Sequence, residues 1–237
     1  MTYFISPPFG NYLDFKNSTS IKGSFTLLSR PGLISQVIFT LRYSFINEGW
    51  INKIGLRNPG IDYAIKKYKD TDHVISVAIL EAREIPLLNK KIPSNMNLEL
   101  NVSCPNVSFI NSSKIDQNLK VFLNDQREWC IIKLSPTVDI KLIDFYYKEG
   151  FRQFHCLNTI PVSKGGLSGK KIMEINKKII PLIKKKYPDT HIIAGGGITS
   201  IEDIKMYREL GADSFSFSTV FFNPFKAYHL YNSLFKN

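Results

Sequence analysis

Between residues 71 and 218 the chain alternates short apolar, β-branched runs with longer amphipathic stretches, and few folds accommodate that alternation. The runs are His73–Leu80, Leu98–Val102, Cys130–Leu134, Gln153–Leu157, His191–Ala194 and Ser214–Ser218. Each is short, and rich enough in apolar residues to be a buried strand. Between them, Ser113–Asp125 spaces Ile115, Leu119 and Phe122 by three or four residues, and Asp139–Gly150 reads as a helix closed by a glycine. Gly169–Lys186 is a longer amphipathic helix ahead of Pro188, and Ser200–Gly211 opens on Ser-Ile-Glu-Asp and again ends at glycine. Strand and helix in strict succession imply a parallel sheet. The first seventy residues are less regular, but Phe9–Leu13 and Ser20–Leu27 supply two more candidate strands, joined by a short connection through Asp14–Thr19. Two and six make eight, and eight parallel strands in 237 residues fit an α/β chain folded as a somewhat trimmed (β/α)8 TIM barrel, with a doubly wound sheet as the alternative. No linker, repeat or low-complexity tract interrupts the pattern, so one barrel domain over residues 1–237 is expected.

Composition narrows the surroundings. Three cysteines, Cys104, Cys130 and Cys156, are an odd number at wide spacing, which speaks against a disulfide framework and for a reducing, cytoplasmic setting. His73, His155, His191 and His229 have no metal-ligand spacing, and no metal is expected. The first three lie at strand starts or within strands, where a hydrogen-bonded structural histidine is the ordinary case. No apolar run reaches the roughly 18–20 residues that span a bilayer. Lys and Arg number 31 against 20 Asp and Glu, a net charge of +11. Taken alone this suggests a polyanionic partner, yet Lys177-Lys178 and Lys184–Lys186 fall on a helix that a barrel would turn outward, so no nucleic acid is expected.

In a barrel the chemistry sits where the strands end. Strand four runs into Asn101-Val-Ser-Cys-Pro-Asn106, strand five carries Lys133 inside Ile-Ile-Lys-Leu, and strand six ends in Asn158-Thr159. Strand seven ends in Gly195-Gly-Gly-Ile198 and strand eight in Ser218-Thr219. A glycine run leaving a strand lets backbone N–H groups approach a phosphate, and the last two strands of barrels often share such a site. Lys133 is costly inside a strand unless it meets a structural carboxylate or an anion at the barrel mouth. Cys104, in a loop between Asn101 and Asn106, reads equally as an inert thiol or as a reactive one, an acid/base group or a nucleophile.

These motifs, in this order, resemble the dihydroorotate dehydrogenase family. Gly165-Gly-Leu-Ser-Gly169, Ser20-Ile-Lys-Gly-Ser24 and Asn52-Lys-Ile-Gly-Leu-Arg-Asn58 add to the likeness, which covers nearly the whole chain. The resemblance implies an FMN-dependent barrel that oxidises (S)-dihydroorotate to orotate in pyrimidine biosynthesis. Cys104 would be the general base, as in the soluble class of the family, with Lys133 beside the flavin ring and Lys22 between flavin and substrate. Gly10, Gly166, Gly196, Gly197, Ser218 and Thr219 would complete the cofactor contacts. Asn52, Ile54, Gly55, Leu56, Asn101, Asn106, Asn158 and Thr159 would bind the pyrimidine and its carboxylate. Soluble relatives are commonly dimers, so the resemblance allows a homodimer but leaves the oligomeric state open, and the electron acceptor stays open between fumarate, a nicotinamide-linked partner subunit and oxygen. The chain is shorter than is usual for this family, mainly between strands one and two and after Asn106, and Ser218 replaces a usual glycine.

Two other functions are consistent with parts of the pattern. A tRNA dihydrouridine synthase is also an FMN barrel with a loop cysteine, but usually carries Gly-Cys-Pro where this chain has Ser-Cys-Pro-Asn, and a further RNA-binding domain. A catalytically impaired flavin-binding barrel would have no need of Cys104, Lys133 and the four asparagines.

Overall fold

The computed structural model describes residues 1–102 and 118–235. In chain order the strands are β1 (Tyr3–Ile5), β2 (Thr19–Phe25), β3 (Arg42–Ser44), β4 (Gly49–Asn52), β5 (Val74–Ala78) and β6 (Leu98–Asn101). They continue as β7 (Cys130–Lys133), β8 (Gln153–Cys156), β9 (Ile160–Val162), β10 (Gly165–Gly169), β11 (His191–Gly195) and β12 (Ser214–Phe217). Eight of them, β1-β2-β5-β6-β7-β8-β11-β12, pair in parallel and close through β12 onto β1. The other four form an antiparallel sheet in the order β3-β4-β10-β9 over the carboxyl ends of the barrel strands. The helices are α1 (Leu33–Thr40), α2 (Ile61–Tyr68), α3 (Glu84–Lys91), α4 (Ile140–Lys148), α5 (Lys171–Lys186), α6 (Ile201–Glu209) and α7 (Pro224–Leu234). The expected (β/α)8 barrel is therefore present.

Local sequence explains the boundaries. At α6, Ser200 accepts from the Asp203 N–H while Asp203 accepts from the Ser200 N–H, so two donors that the helix start would orphan are satisfied reciprocally. Asp139 caps α4 through the Lys141 N–H, and Gly150, at φ +107°, turns the chain back toward β8. Alternation along each strand then sorts the side chains. Phe4, Ile21, Val74, Trp129, Ile131 and Ile193 form a cluster that plugs the barrel floor. Their strand neighbours, such as Ile5, Ile75, Leu98, Ile132 and Ile192, pack outward in the larger core beneath the helices. Lys177, Lys178, Lys185 and Lys186 lie exposed on α5, as an outer-ring helix requires.

Two expected elements need correction. The first strand is β1, not Phe9–Leu13; Phe9–Asn11 is a single 3-10 turn. The segment's backbone donors close local turns instead, the Gly10 N–H onto the Ser6 carbonyl and the Tyr12 and Leu13 N–H groups onto the Phe9 carbonyl. Gly10 is wedged so tightly that a Cβ would lie 2.2 Å from the Ile5 carbonyl oxygen and 2.3 Å from that of Ile21. Within Ser113–Asp125, Leu119–Phe122 is likewise a 3-10 turn, while residues 113–117 lie outside the described residues.

Candidate active site

The barrel strands end at a cavity of about 1130 Å³. Its floor is the layer of inward side chains directly above the apolar plug. Cross-strand register places Ser76 beside Glu99 and Lys133 beside His155, all four on inward positions. Glu99 is fully buried and accepts three hydrogen bonds: from Ser76 Oγ at 2.7 Å and Lys133 Nζ at 3.2 Å on Oε1, and from His155 Nδ1 at 2.5 Å on Oε2. Burial pushes this carboxyl upward, but Lys133, His155 and Ser76 outweigh it and hold it well below the usual carboxylate range. Burial likewise lowers the His155 imidazole, which is neutral near pH 7. A carboxylate only accepts, so Nδ1 carries the His155 proton. Gly195 makes room for this ring, because a Cβ there would lie 2.7 Å from His155 Nε2.

Above the floor, Asn101 and Asn158 meet at 3.1 Å, the Asn158 Nδ2 donating to the Asn101 Oδ1. Asn158 in turn accepts from the Thr159 N–H at 2.9 Å. The antiparallel sheet brings Asn52 opposite Gly166, and a Cβ on Gly166 would meet Thr159 Oγ1 at 2.7 Å. Asn52, Ile54, Gly55, Leu56, Asn101, Asn158, Thr159 and Gly166 therefore all line one cavity. Gly55 and Leu56 hold positive φ angles of 66° and 56°. For a leucine that backbone is strained, and Asn58 secures it by donating to the Leu56 carbonyl and accepting from the N–H groups of Thr26 and Gly60.

At the other end Gly196 and Gly197, with φ of 88° and 79°, turn bare backbone toward the cavity. Side chains there would run into Ile172 and Met173 of α5. Ser218 and Thr219, at the start of a 3-10 turn after β12, complete this end, and Ser218 Oγ donates to the Pro7 carbonyl. Trp50 and Phe222 stack beside it with ring centroids 4.2 Å apart. Among the described residues that line the cavity there are four cations, Lys53, Arg57, Lys67 and Lys133, and no carboxylate. A glycine-walled, cation-lined cavity suits a ligand that carries negative charge.

Lys22 and Gly10 stand apart from the rest. Inward positions on β2 are Ile21 and Gly23, so Lys22 points the other way, does not line the cavity, and donates to Asp14 at 2.6 Å beneath the Tyr68 ring. Gly10 is a packing glycine and also lies off the cavity, although Phe9 and Asn11 line it. Cys104 and Asn106 lie outside the described residues. Sequence reasoning missed Glu99, Ser76, Ser24 and the cavity face of His155. The available signal was Glu99 itself, a carboxylate inside a buried run that calls for a buried cation.

Fold and site together define a (β/α)8 barrel with a glycine-walled, cation-lined cavity at the carboxyl ends of its strands. A family model described as Dihydroorotate dehydrogenase matches residues 10–234, and the chain belongs to that family, whose members are oxidoreductases. It is 28% identical over 232 residues to the catalytic subunit of dihydroorotate dehydrogenase B (NAD(+)) of Oceanobacillus iheyensis, covering 82% of this chain and 74% of that one. The subunit of the same name from Malacoplasma penetrans is 30% identical over 219 residues, covering 78% and 71%. The fold is shared with DHODH from Eimeria tenella, solved in complex with ferulenol, at a TM-score of 0.74 and 15% identity over 99% of this chain and 80% of that one. Among the described residues no helix is long and apolar enough to cross a membrane.

Proposed function

We propose that this chain, as one barrel domain, oxidises (S)-dihydroorotate to orotate with FMN as its cofactor. The observation that carries the reading is the convergence of Lys133, the Asn101–Asn158 pair, and the Gly196-Gly197 and Ser218-Thr219 backbone on one cation-lined cavity. The donor set suits the cofactor. Gly166, Gly196, Gly197, Ser218 and Thr219 would hold its phosphate, and Lys133 would lie beside its ring. FMN, when bound, supplies the acceptor for the hydride that leaves C6 of the substrate.

The chain's own groups account for the rest. Asn52, Asn101, Asn106 and Asn158 would hold the planar pyrimidine edge, since each amide offers a donor and an acceptor in one plane. Thr159 and the backbone from Ile54 to Leu56 would complete that contact. Cys104 Sγ would take the proton from C5 as general base. Neither described cysteine competes for that role, because burial pushes the thiols of Cys130 and Cys156 up to about 12. Lys133 Nζ stands at the cavity floor, oriented by Glu99 at 3.2 Å. The test is anaerobic. Purified protein reconstituted with FMN should be yellow and bleach on adding dihydroorotate, and Cys104→Ser should slow bleaching while retaining flavin. Protein that stays colourless after reconstitution, or flavin that no dihydropyrimidine reduces, would refute the proposal. An oxidant scan on the reduced protein then identifies the electron acceptor.

A further inference from the structure

One buried titratable group at the cavity floor has no part in the chemistry above. His155 is 2% exposed, and its Nδ1 proton is committed to Glu99. Its Nε2 has no hydrogen-bond partner among the described residues. The residue lines the cavity, and Nε2 lies beside the gap left by Gly195, where a Cβ would come within 2.7 Å of it. With Nδ1–H bonded to a carboxylate, Nε2 holds the free lone pair of the ring, and a proton arriving there gives an imidazolium that the same carboxylate stabilises. A glutamine or asparagine amide would satisfy Glu99 equally well as a donor. A basic nitrogen left open to the site exceeds that structural need.

The groups that face the ring are few. On one side, register sets Lys133 of β7 beside it, and Glu99 of β6 holds its Nδ1. On the other, β11 brings Gly195 and β12 brings Ser216, whose hydroxyl pairs with that of Ser6. Behind them, Asn176 of α5 donates to the Gly195 carbonyl. The charged neighbours are therefore Glu99 and Lys133, and burial holds the imidazole below its ordinary value against the pull of Glu99. A new negative charge over the floor would tip that balance toward the imidazolium. Hydride transfer supplies such a charge, because a hydride carries two electrons and one proton and leaves a neutral ring with one negative charge. A ring beside Lys133 is one strand from His155, and neighbouring strands are about 4.8 Å apart.

We propose that His155 is the charge-balancing proton acceptor of this site: when the flavin takes up a hydride, a proton from water adds to Nε2, and it leaves again when the flavin is reoxidised. The inference rests on the reading that FMN occupies this cavity with its ring beside Lys133. Atoms and charge balance without a further reactant. The C6–H bond breaks with its electron pair going to the ring, the C5 proton leaves separately to the general base, and the new N–H bond at Nε2 draws its proton from solvent. His155 thus acts on the charge of the cofactor and touches neither reacting carbon. Glu99 is its positioning residue, fixing the tautomer that leaves Nε2 bare.

The test uses FMN-loaded protein carrying isotope-labelled histidine, because the nitrogen resonance of a bare Nε2 lies far from that of a protonated one. Near pH 7 the wild type should show a bare His155 Nε2 while oxidised and a protonated one after anaerobic photoreduction. His155→Gln identifies the signal. Followed spectroscopically between about pH 6 and 8, the flavin potential should fall with pH as for one more proton per two electrons in wild type than in His155→Gln. The wild-type comparison stands by itself if the variant retains flavin poorly, with the signal identified in the flavin-free proteins. A Nε2 that is bare in both redox states, or equal pH slopes in the two proteins, would overturn the proposal. Photoreduction needs no substrate, so the two readings fail separately. Proton uptake at His155 in protein that dihydroorotate does not reduce would keep the inference and remove the substrate, whereas protein that retains no flavin would remove both.

Discussion

Replacing Lys133 with methionine is the most direct test of the charged floor, because it deletes the ammonium and keeps most of the side-chain volume. The Lys133–Glu99 separation is 3.2 Å and the Glu99 side chain is 0% exposed. At an effective dielectric constant of about 20, charges at that distance attract by roughly 5 kcal/mol. Stranding one partner of a buried pair costs about 3–5 kcal/mol. Glu99 keeps its bonds to His155 and Ser76, so the lower end applies, and a loss of about 3 kcal/mol lowers Tm by roughly 6–12 °C in a chain of this size. The loss should depend on pH in a particular direction. In wild type Lys133, His155 and Ser76 together hold the Glu99 carboxyl low; without Lys133 only His155 and Ser76 oppose burial, and the folded-state pKa moves upward. Protonation then relieves the stranded charge, so the deficit relative to wild type should be largest at neutral pH and shrink on acidification. Urea unfolding at pH 7.5 and pH 5 measures both. Adding Glu99→Gln should recover much of the loss, since no charge is then stranded. The reasoning fails if Lys133→Met costs no more than Lys178→Met on the exposed face of α5, or if the double variant is less stable than the single one.

Three further outcomes follow from named contacts. Lys22→Met should leave flavin content and dihydroorotate turnover near wild type while lowering the urea midpoint, because its ammonium serves Asp14 on the outer side of β2; flavin loss would return Lys22 to the site. Gly197→Ala should lower flavin retention measured by absorbance after gel filtration, since φ is +79° and a Cβ would lie 2.5 Å from the Met173 side chain; full retention would argue against a backbone cradle. Stability should fall on acidification from about pH 6.5, because His155 is held below its unfolded pKa, so the unfolded chain binds a proton that the folded one does not. His73 and His191 shift in the same direction, so His155→Gln should flatten that limb of a Tm–pH profile in part, by up to about 1 kcal/mol per pH unit; an unchanged profile would refute the assignment.

What the sequence reveals and what it hides have physical causes. Strands such as Cys130–Lys133 and His191–Gly195 are legible because both faces are buried and the runs are continuously apolar. The same property conceals phase. In Ser20-Ile-Lys-Gly-Ser24 nothing distinguishes inward from outward positions, and a shift of one residue separates Lys22, facing Asp14, from Gly23, facing the cavity. Strand β1 is three residues long, too short to show a period, whereas Phe9–Leu13 shows one and forms a turn. The antiparallel sheet escapes because its decisive pairing, Gly166 with Asn52, spans more than a hundred residues of chain. Glu99 carries the same signal as Lys133, a charge in an apolar run. But Leu98-Glu-Leu-Asn101 also reads as the alternation of a half-exposed strand, and only closure of the barrel turns the polar face inward.

The excess positive charge separates into two populations once the fold is known. The α5 lysines are solvated and several hold carboxylates of their own, as Lys177 holds Glu174 and Lys186 holds Asp144. Such pairs contribute little and specify no partner. The cations at the cavity have no carboxylate beside them in its wall among the described residues, and Glu99, beneath Lys133, is already shared by Lys133, His155 and Ser76. Net charge over the whole chain is therefore a poor guide to function here, while the sign of one cavity wall is a good one. A wall of cations over a floor whose carboxylate is already shared favours ligands that bring their own negative charge, as the proposed flavin phosphate and substrate carboxylate would.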